Sequence, residues 1–136
     1  MDLFQFLHKL NKPKHGKDHN RTSNKGKIMA ENYQKEIVQR IFTNLLDIQL
    51  LRLVKAQPLW GYKIKKNAEK DFQIKLRHGA LYPMLNRLEQ KGFLTSQKQR
   101  ECGRTRKVYT ITKSGKEYLK SYYDILRKQL EGENIN

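Results

Sequence analysis

Acidic residues are scarce in this chain of 136 residues, which sets 13 Asp and Glu against 29 Lys and Arg and carries a formal net charge of +16. A surface of one sign repels itself and is relieved by a polyanion, with nucleic acid ahead of an anionic membrane. Cysteine is almost absent: the single Cys102 excludes an internal disulfide and an all-cysteine metal site within one chain. Long apolar runs are missing too. No stretch approaches the roughly 20 residues of a membrane span, and the N-terminus lacks the apolar core and cleavage site of a secretory signal. A cytoplasmic, nucleoid-associated protein without membrane contact is expected. What is present is enough aromatic material, seven Tyr and five Phe, for one small core. So small a core gains from dimerisation.

Residues 1–30 read as a basic, disordered N-terminal arm, within which 11–27 contain no large apolar side chain and are solvated. Over residues 1–30, seven basic residues against Asp2 and Asp18 give +5 of the +16, leaving +11 for the rest. Met29 is an alternative start. The opening residues Leu3, Phe6, Leu7 and Leu10 share a helical face, either a short partner- or membrane-touching helix or a floppy end.

From residue 31 to 55 the apolar spacing of Ile37, Ile41, Leu45 and Ile48, widened by Val38, Phe42, Leu46, Leu50, Leu53 and Val54, predicts helix. Thr43 could cap a second helix inside it. The face is wider than a small domain needs, so either part of it meets another subunit or all of it packs in the core. Pro58 ends this stretch. A helix over 61–70 follows, with Tyr62 and Ile64 inward and Lys63, Lys65 and Lys66 at solvent. A brief extended piece over 73–76 leads to a helix over 78–91, stopped by Gly92 at its C′ position. Residues 94–100 and 106–111 read as strands around a turn at 101–105, and Thr112 caps a last helix to about residue 131.

Three helices, a basic hairpin and a fourth helix form the layout of a mainly α winged helix-turn-helix, in which the third helix enters the major groove and the hairpin follows the backbone. On that third helix Leu81, Leu85 and Leu88 fall together, with Met84 alongside, as the core face. Opposite lie Gly79, Pro83, Asn86 and Gln90, flanked by Tyr82 and Arg87, with no acid among them. Short amides, a phenol and a guanidinium reach base edges and phosphates, although the pattern alone also fits an ordinary amphipathic helix. Pro83 opposes Gly79 four residues back, so a kink or late start is expected. In the hairpin Lys98, Arg100, Arg104, Arg106 and Lys107 face one acid, Glu101, and mutual repulsion points to phosphate contact. Cys102 among these arginines is a candidate low-pKa thiol, with Glu101 opposing that shift.

Enzyme chemistry finds no support. His8, His15 and His19 lie in the arm, where the helical spacing of the last two has no folded context, and His78 is alone. No nucleophile triad, carboxylate pair or phosphate-binding Gly loop is evident, so no metal and no cofactor are expected.

The segments Pro58-Leu59-Trp60-Gly61-Tyr62, Gly79-Ala80-Leu81-Tyr82-Pro83-Met84-Leu85-Asn86-Arg87-Leu88-Glu89, Gly103-Arg104-Thr105-Arg106-Lys107-Val108-Tyr109 and Thr112-Lys113-Ser114-Gly115 resemble, in order and spacing, the successive motifs of PadR-type transcriptional regulators. The resemblance runs from about residue 45 to 126. Trp60 stands where that family often has His, and Ala80 where a phosphate-contacting Thr is common, which puts one contact in doubt. Glu101-Cys102 replaces an often Gly-rich tip.

The resemblance implies a homodimer of the short form, with a single C-terminal helix, that represses from a palindromic operator in double-stranded DNA. In some members a phenolic or drug-like ligand releases DNA, so a small aromatic ligand is the implied effector. It also implies a reading domain over 31–112 and a dimerisation helix and tail over 113–136. Ile41, Leu45, Ile48, Leu119, Tyr122, Leu126 and Leu130 are the expected dimer contacts. The competing class is a sequence-tolerant chromatin or RNA-binding protein with no regulatory ligand.

Overall fold

The computed structural model describes residues 23–132. In chain order the elements are α1 (Ser23–Asn44), α2 (Leu46–Ala56), β1 (Leu59–Trp60), α3 (Gly61–Phe72), α4 (His78–Gln90), β2 (Leu94–Glu101), β3 (Arg104–Ile111) and α5 (Lys113–Glu131). This is the winged helix-turn-helix order with one strand the sequence did not announce. β1 pairs antiparallel with β3, so the sheet is three-stranded, in the order β1-β3-β2. The chain divides within α1 into one unit that reaches Glu36 and another that begins at Ile37.

In the first unit, residues 23–30 are helical where a disordered arm was expected. The side chains described there are exposed, among them Ile28, Met29 and Tyr33, so burial does not explain the helix. Propagation does: each residue added to an existing helix gains a hydrogen bond without repeating the cost of nucleation. Lys25, Lys27, Met29, Ala30 and Glu31 are good helix formers. The apolar opening and residues 11–22 of the arm lie outside the described residues.

In the second unit α2 is the centre. Leu46, Ile48, Leu50, Leu51, Leu53 and Val54 bury nearly all of its sides, and it touches α3, α4, α5 and β3. A helix apolar all round belongs inside a core. Ile48 and, from α5, Leu119 are consumed by this core, so neither is free for the dimer contact expected of it. Arg52 ties α2 to α5: Nη1 donates to Gln49 Oε1 at 2.7 Å and Nε to the Tyr123 hydroxyl at 3.3 Å. Thr43 caps nothing. Its hydroxyl donates to the Gln39 carbonyl at 2.8 Å within α1, and the break falls at Leu45, with φ −123° and ψ 38°.

On α3, Ile64 and Ala68 are buried, whereas Tyr62, expected inward, is exposed and tilts against Trp60 at 5.7 Å. Residues 73–76 form no strand. Gln73 closes α3 in the left-handed region at φ 53°, and buried Ile74 and Leu76 pin the connection instead.

α4 runs from His78 through Pro83 as one element, so of the kink or late start expected there the late start does not occur. It ends where Gly92, at φ +75°, donates to the Glu89 carbonyl and Phe93 to that of Leu88, both at 2.9 Å. That is the Schellman closure that favours Gly at C′. Thr112 then does two jobs. Its oxygen accepts from the Gly115 amide at 3.1 Å, capping α5, and its hydroxyl donates to the Gly92 carbonyl at 2.6 Å. The end of α4 and the start of α5 are thereby held together. A side chain at Gly115 would overlap the Phe93 carbonyl, which explains the glycine.

Candidate nucleic-acid interface

The faces of α4 separate as its periodicity predicts. Leu81, Leu85 and Leu88 are buried with Met84 partly so, while Gly79, Tyr82, Pro83, Asn86, Arg87 and Gln90 are exposed. No side chain within this segment's exposed set carries a negative charge, and Glu89 lies beside it, partly buried. Gly79 has open space where a Cβ would be, so packing does not require the glycine there. Tyr82 is less free than the rest. Its ring lies parallel to His78 at 5.8 Å, and a Cβ on Gly61 would sit 2.7 Å from its Cε1. Gly61 thus lets the start of α3 approach α4.

The hairpin is tighter than the expected turn at 101–105. The strands run to Glu101 and Arg104, and Cys102 and Gly103 alone make the turn at φ 49° and 75°. Two successive positive φ values suit the type I′ hairpin, whose twist matches the strands.

Strand alternation sorts the five hairpin cations onto two faces. Tyr109 and Ile111 are buried, so their end of one face is turned to the body of the unit, while the part of that face toward the hairpin tip is exposed. Lys107 shares it on β3, and the register places Lys98 and Arg100 on the same face of β2. Arg104 and Arg106 project from the opposite face.

Exposed and without protein partners among the described residues are Lys98, Arg100 and Arg104. Arg106 is engaged: its guanidinium lies 3.3 Å from the centroid of the Trp60 ring, and Nη1 bonds Glu101 Oε2 at 2.9 Å. Lys107 is engaged as well, its Nζ 2.7 Å from Glu89 Oε1. Repulsion across the hairpin, the reason for expecting phosphate contact there, is therefore partly relieved inside the protein.

Glu89 accepts a second bond, from the Ser96 hydroxyl to Oε2 at 2.6 Å. Burial works against its ionisation, but the hydrogen bonds from Lys107 and Ser96 and the charge of Lys107 outweigh it, and its pKa falls below the ordinary value of 4.5. The same bond to Glu89 raises the Lys107 pKa above 10.5. Sequence reasoning missed this pair because nothing in the spacing of Glu89 and Lys107 shows that a helix end and a strand meet. It also missed an open groove between α3 and the start of α4, where Lys65, Lys75, Arg77 and His78 converge with one acid, Glu69, whose Oε1 lies 3.8 Å from Lys65 Nζ. The cations were visible, but their convergence needed the left-handed turn at Gln73.

A reading helix with an acid-poor exposed face, followed by a basic hairpin, is the arrangement of a winged-helix regulator that binds DNA. The chain matches the Transcriptional regulator PadR-like family over residues 50–121, more than half its length, and it belongs to that family. Its partner is DNA, and the family is one of transcription regulators, not of enzymes.

Among solved structures, the chain is similar to a transcriptional regulator from Clostridium thermocellum, with 26% identity and a TM-score of 0.58, covering 71% of this chain and 99% of that one. A PadR family regulator from Clostridium difficile is 26% identical with a TM-score of 0.55, covering 63% and 94%. A third from Eggerthella lenta, 24% identical with a TM-score of 0.61 over 77% and 92%, shares the fold. The comparison with curated proteins finds no match. No helix among the described residues is long and apolar enough to cross a membrane.

Proposed function

We propose that this protein is a dimeric repressor that reads a palindromic operator through α4, holds the backbone through its hairpin, and works in the cytoplasm at the nucleoid. The observation that carries this reading is the face of α4 that presents Asn86, Arg87 and Gln90 to solvent without a negative charge, opposite fully buried Leu81, Leu85 and Leu88. Asn and Gln bond adenine edges and Arg bonds guanine, so this face suits base readout. Gly79 lets backbone come close to a phosphate or sugar. Lys98, Arg100 and Arg104 supply contacts that carry no sequence information.

Dimerisation is supported by apolar side chains left at solvent. Ile37 on α1 is exposed, as are Ile125 and Leu130 on α5, the last at 74%. Ile41, Leu45, Tyr122 and Leu126, only partly covered by this chain, extend those surfaces. A two-fold dimer would bury them reciprocally and present two copies of α4 to two half-sites. Repression, and release by a small aromatic ligand, rest on the resemblance to the family.

Selection of bound sequences from a random duplex pool tests this reading. A two-fold symmetric consensus is expected, with half-sites one helical turn or a multiple apart. Enrichment without a consensus would contradict it and favour a sequence-tolerant binder.

A further inference from the structure

We infer that Glu89 is a positioning residue that withholds Lys107 from the DNA backbone and so holds down the affinity for DNA of any sequence. The inference rests on the DNA-reading role proposed for α4 and the hairpin. Glu89 is the only acid on α4, and a carboxylate beside a phosphate-facing surface is disfavoured unless it is compensated. Here both of its oxygens are used. Oε1 binds Lys107 on β3 at 2.7 Å and Oε2 accepts from Ser96 on β2 at 2.6 Å, so one side chain joins the reading helix to both strands of the hairpin.

The hairpin register gives this link its consequence. Lys107 stands directly across from Lys98, with Arg100 further along the same face. Like charges directly opposed in an antiparallel ladder repel. Glu89 neutralises one of them and draws it toward α4, which leaves Lys98 and Arg100 as the free cations of that face. Lys107 also lies over the Tyr109 ring, 5.3 Å from its centroid, but Glu89 is its only charged partner among the described residues, and with 44% of its side chain exposed it is reachable by a phosphate once that carboxylate is gone. Removing the charge of Glu89 therefore adds one cation to the phosphate-facing set. That cation bonds phosphates without reading bases, and it tightens binding to every sequence.

Two variants and one footprint test this. Each phosphate neutralised contributes about 0.9 to the slope of log affinity against log salt. The expected result is that Glu89→Gln steepens the slope on random duplex by about 0.9 per subunit, while Glu89→Gln with Lys107→Gln restores the parent slope. Between 50 and 200 mM salt (roughly the range over which such slopes are read), the single variant then loses about 3.5-fold more affinity per subunit than the parent.

The inference is overturned if Glu89→Gln leaves the slope unchanged, or if the double variant falls below the parent by about 0.9, which would mean that Lys107 already contacts phosphate in the parent. Acetylation of lysines in the parent, with and without DNA, gives a reading that needs no variant to fold. Lys98 should be protected and Lys107 as reactive as in the free protein, and equal protection of both would refute the inference. Failure of the underlying DNA reading looks different: the parent itself would show no salt-dependent binding to duplex.

Discussion

Cys102 holds φ at 49° in the two-residue hairpin turn, a conformation that costs a side chain with a Cβ about 1 kcal/mol or more and costs glycine almost nothing. Cys102→Gly, giving a Gly-Gly turn, should therefore raise stability by about 1 kcal/mol, read as a shifted denaturation midpoint with an unchanged slope. Gly79 poses the opposite case. Its Cβ position is open, so Gly79→Ala should keep or slightly raise the melting temperature, since Ala is favoured over Gly in a helix by roughly 1 kcal/mol. If the backbone approaches DNA there, the same change weakens operator binding. Loss of stability without loss of binding would show that Gly79 serves the fold alone. Neither residue's role could be weighed from its letter. A turn of two residues and a turn of five share the string Glu101 to Thr105, and only the pairing of Glu101 with Arg104 decides between them.

At the scale of elements, periodicity carried α4 almost completely, because a helix with one buried stripe writes its own contacts into the spacing of Leu81, Leu85 and Leu88. It carried much less of the hairpin and of α5. Arg106 and Lys107 are adjacent letters with similar chemistry, yet one stacks on Trp60 and the other pairs with Glu89, both far away in sequence. Likewise the apolar spacing of Ile48 and Leu119 marks a covered side without saying whether this chain or a second copy covers it, and here it is this chain's own core.

The joint between α4 and the hairpin has a pH signature. Glu89, with its folded pKa lowered, contributes stability that is present above the unfolded value and disappears as pH falls through the folded one. Lys107, with its pKa raised, contributes below its unfolded value and loses the contribution as pH rises through the folded one. The parent should therefore exceed Glu89→Gln in melting temperature across the range between those limits. The difference should close on acidification below 4.5, where Glu89 takes up its proton. A difference that stays constant through that acid range would show that the ion pair contributes nothing.

For the whole molecule, the apolar residues left at solvent on α1 and α5 predict a stable dimer. Light scattering at tens of micromolar, a rough working range for an obligate interface, should give twice the mass of the 16.2 kDa chain. Leu130→Asp or Ile125→Asp should shift that mass toward the monomer, because both side chains are exposed in the single chain and neither change disturbs its core.

The division of labour between α4 and the hairpin is the central claim, and a paired titration on specific and scrambled duplexes at several salt concentrations tests it most directly. Asn86→Ala and Gln90→Ala should cost about 1–3 kcal/mol on the specific duplex if a bidentate base contact is lost, with little change on the scrambled one. Arg100→Ala should weaken both duplexes by similar factors and reduce the salt slope by about 0.9 per subunit. Should Arg100 control the choice of site while Asn86 and Gln90 prove inert, α4 is not the reading element, and the account fails even though the fold stands.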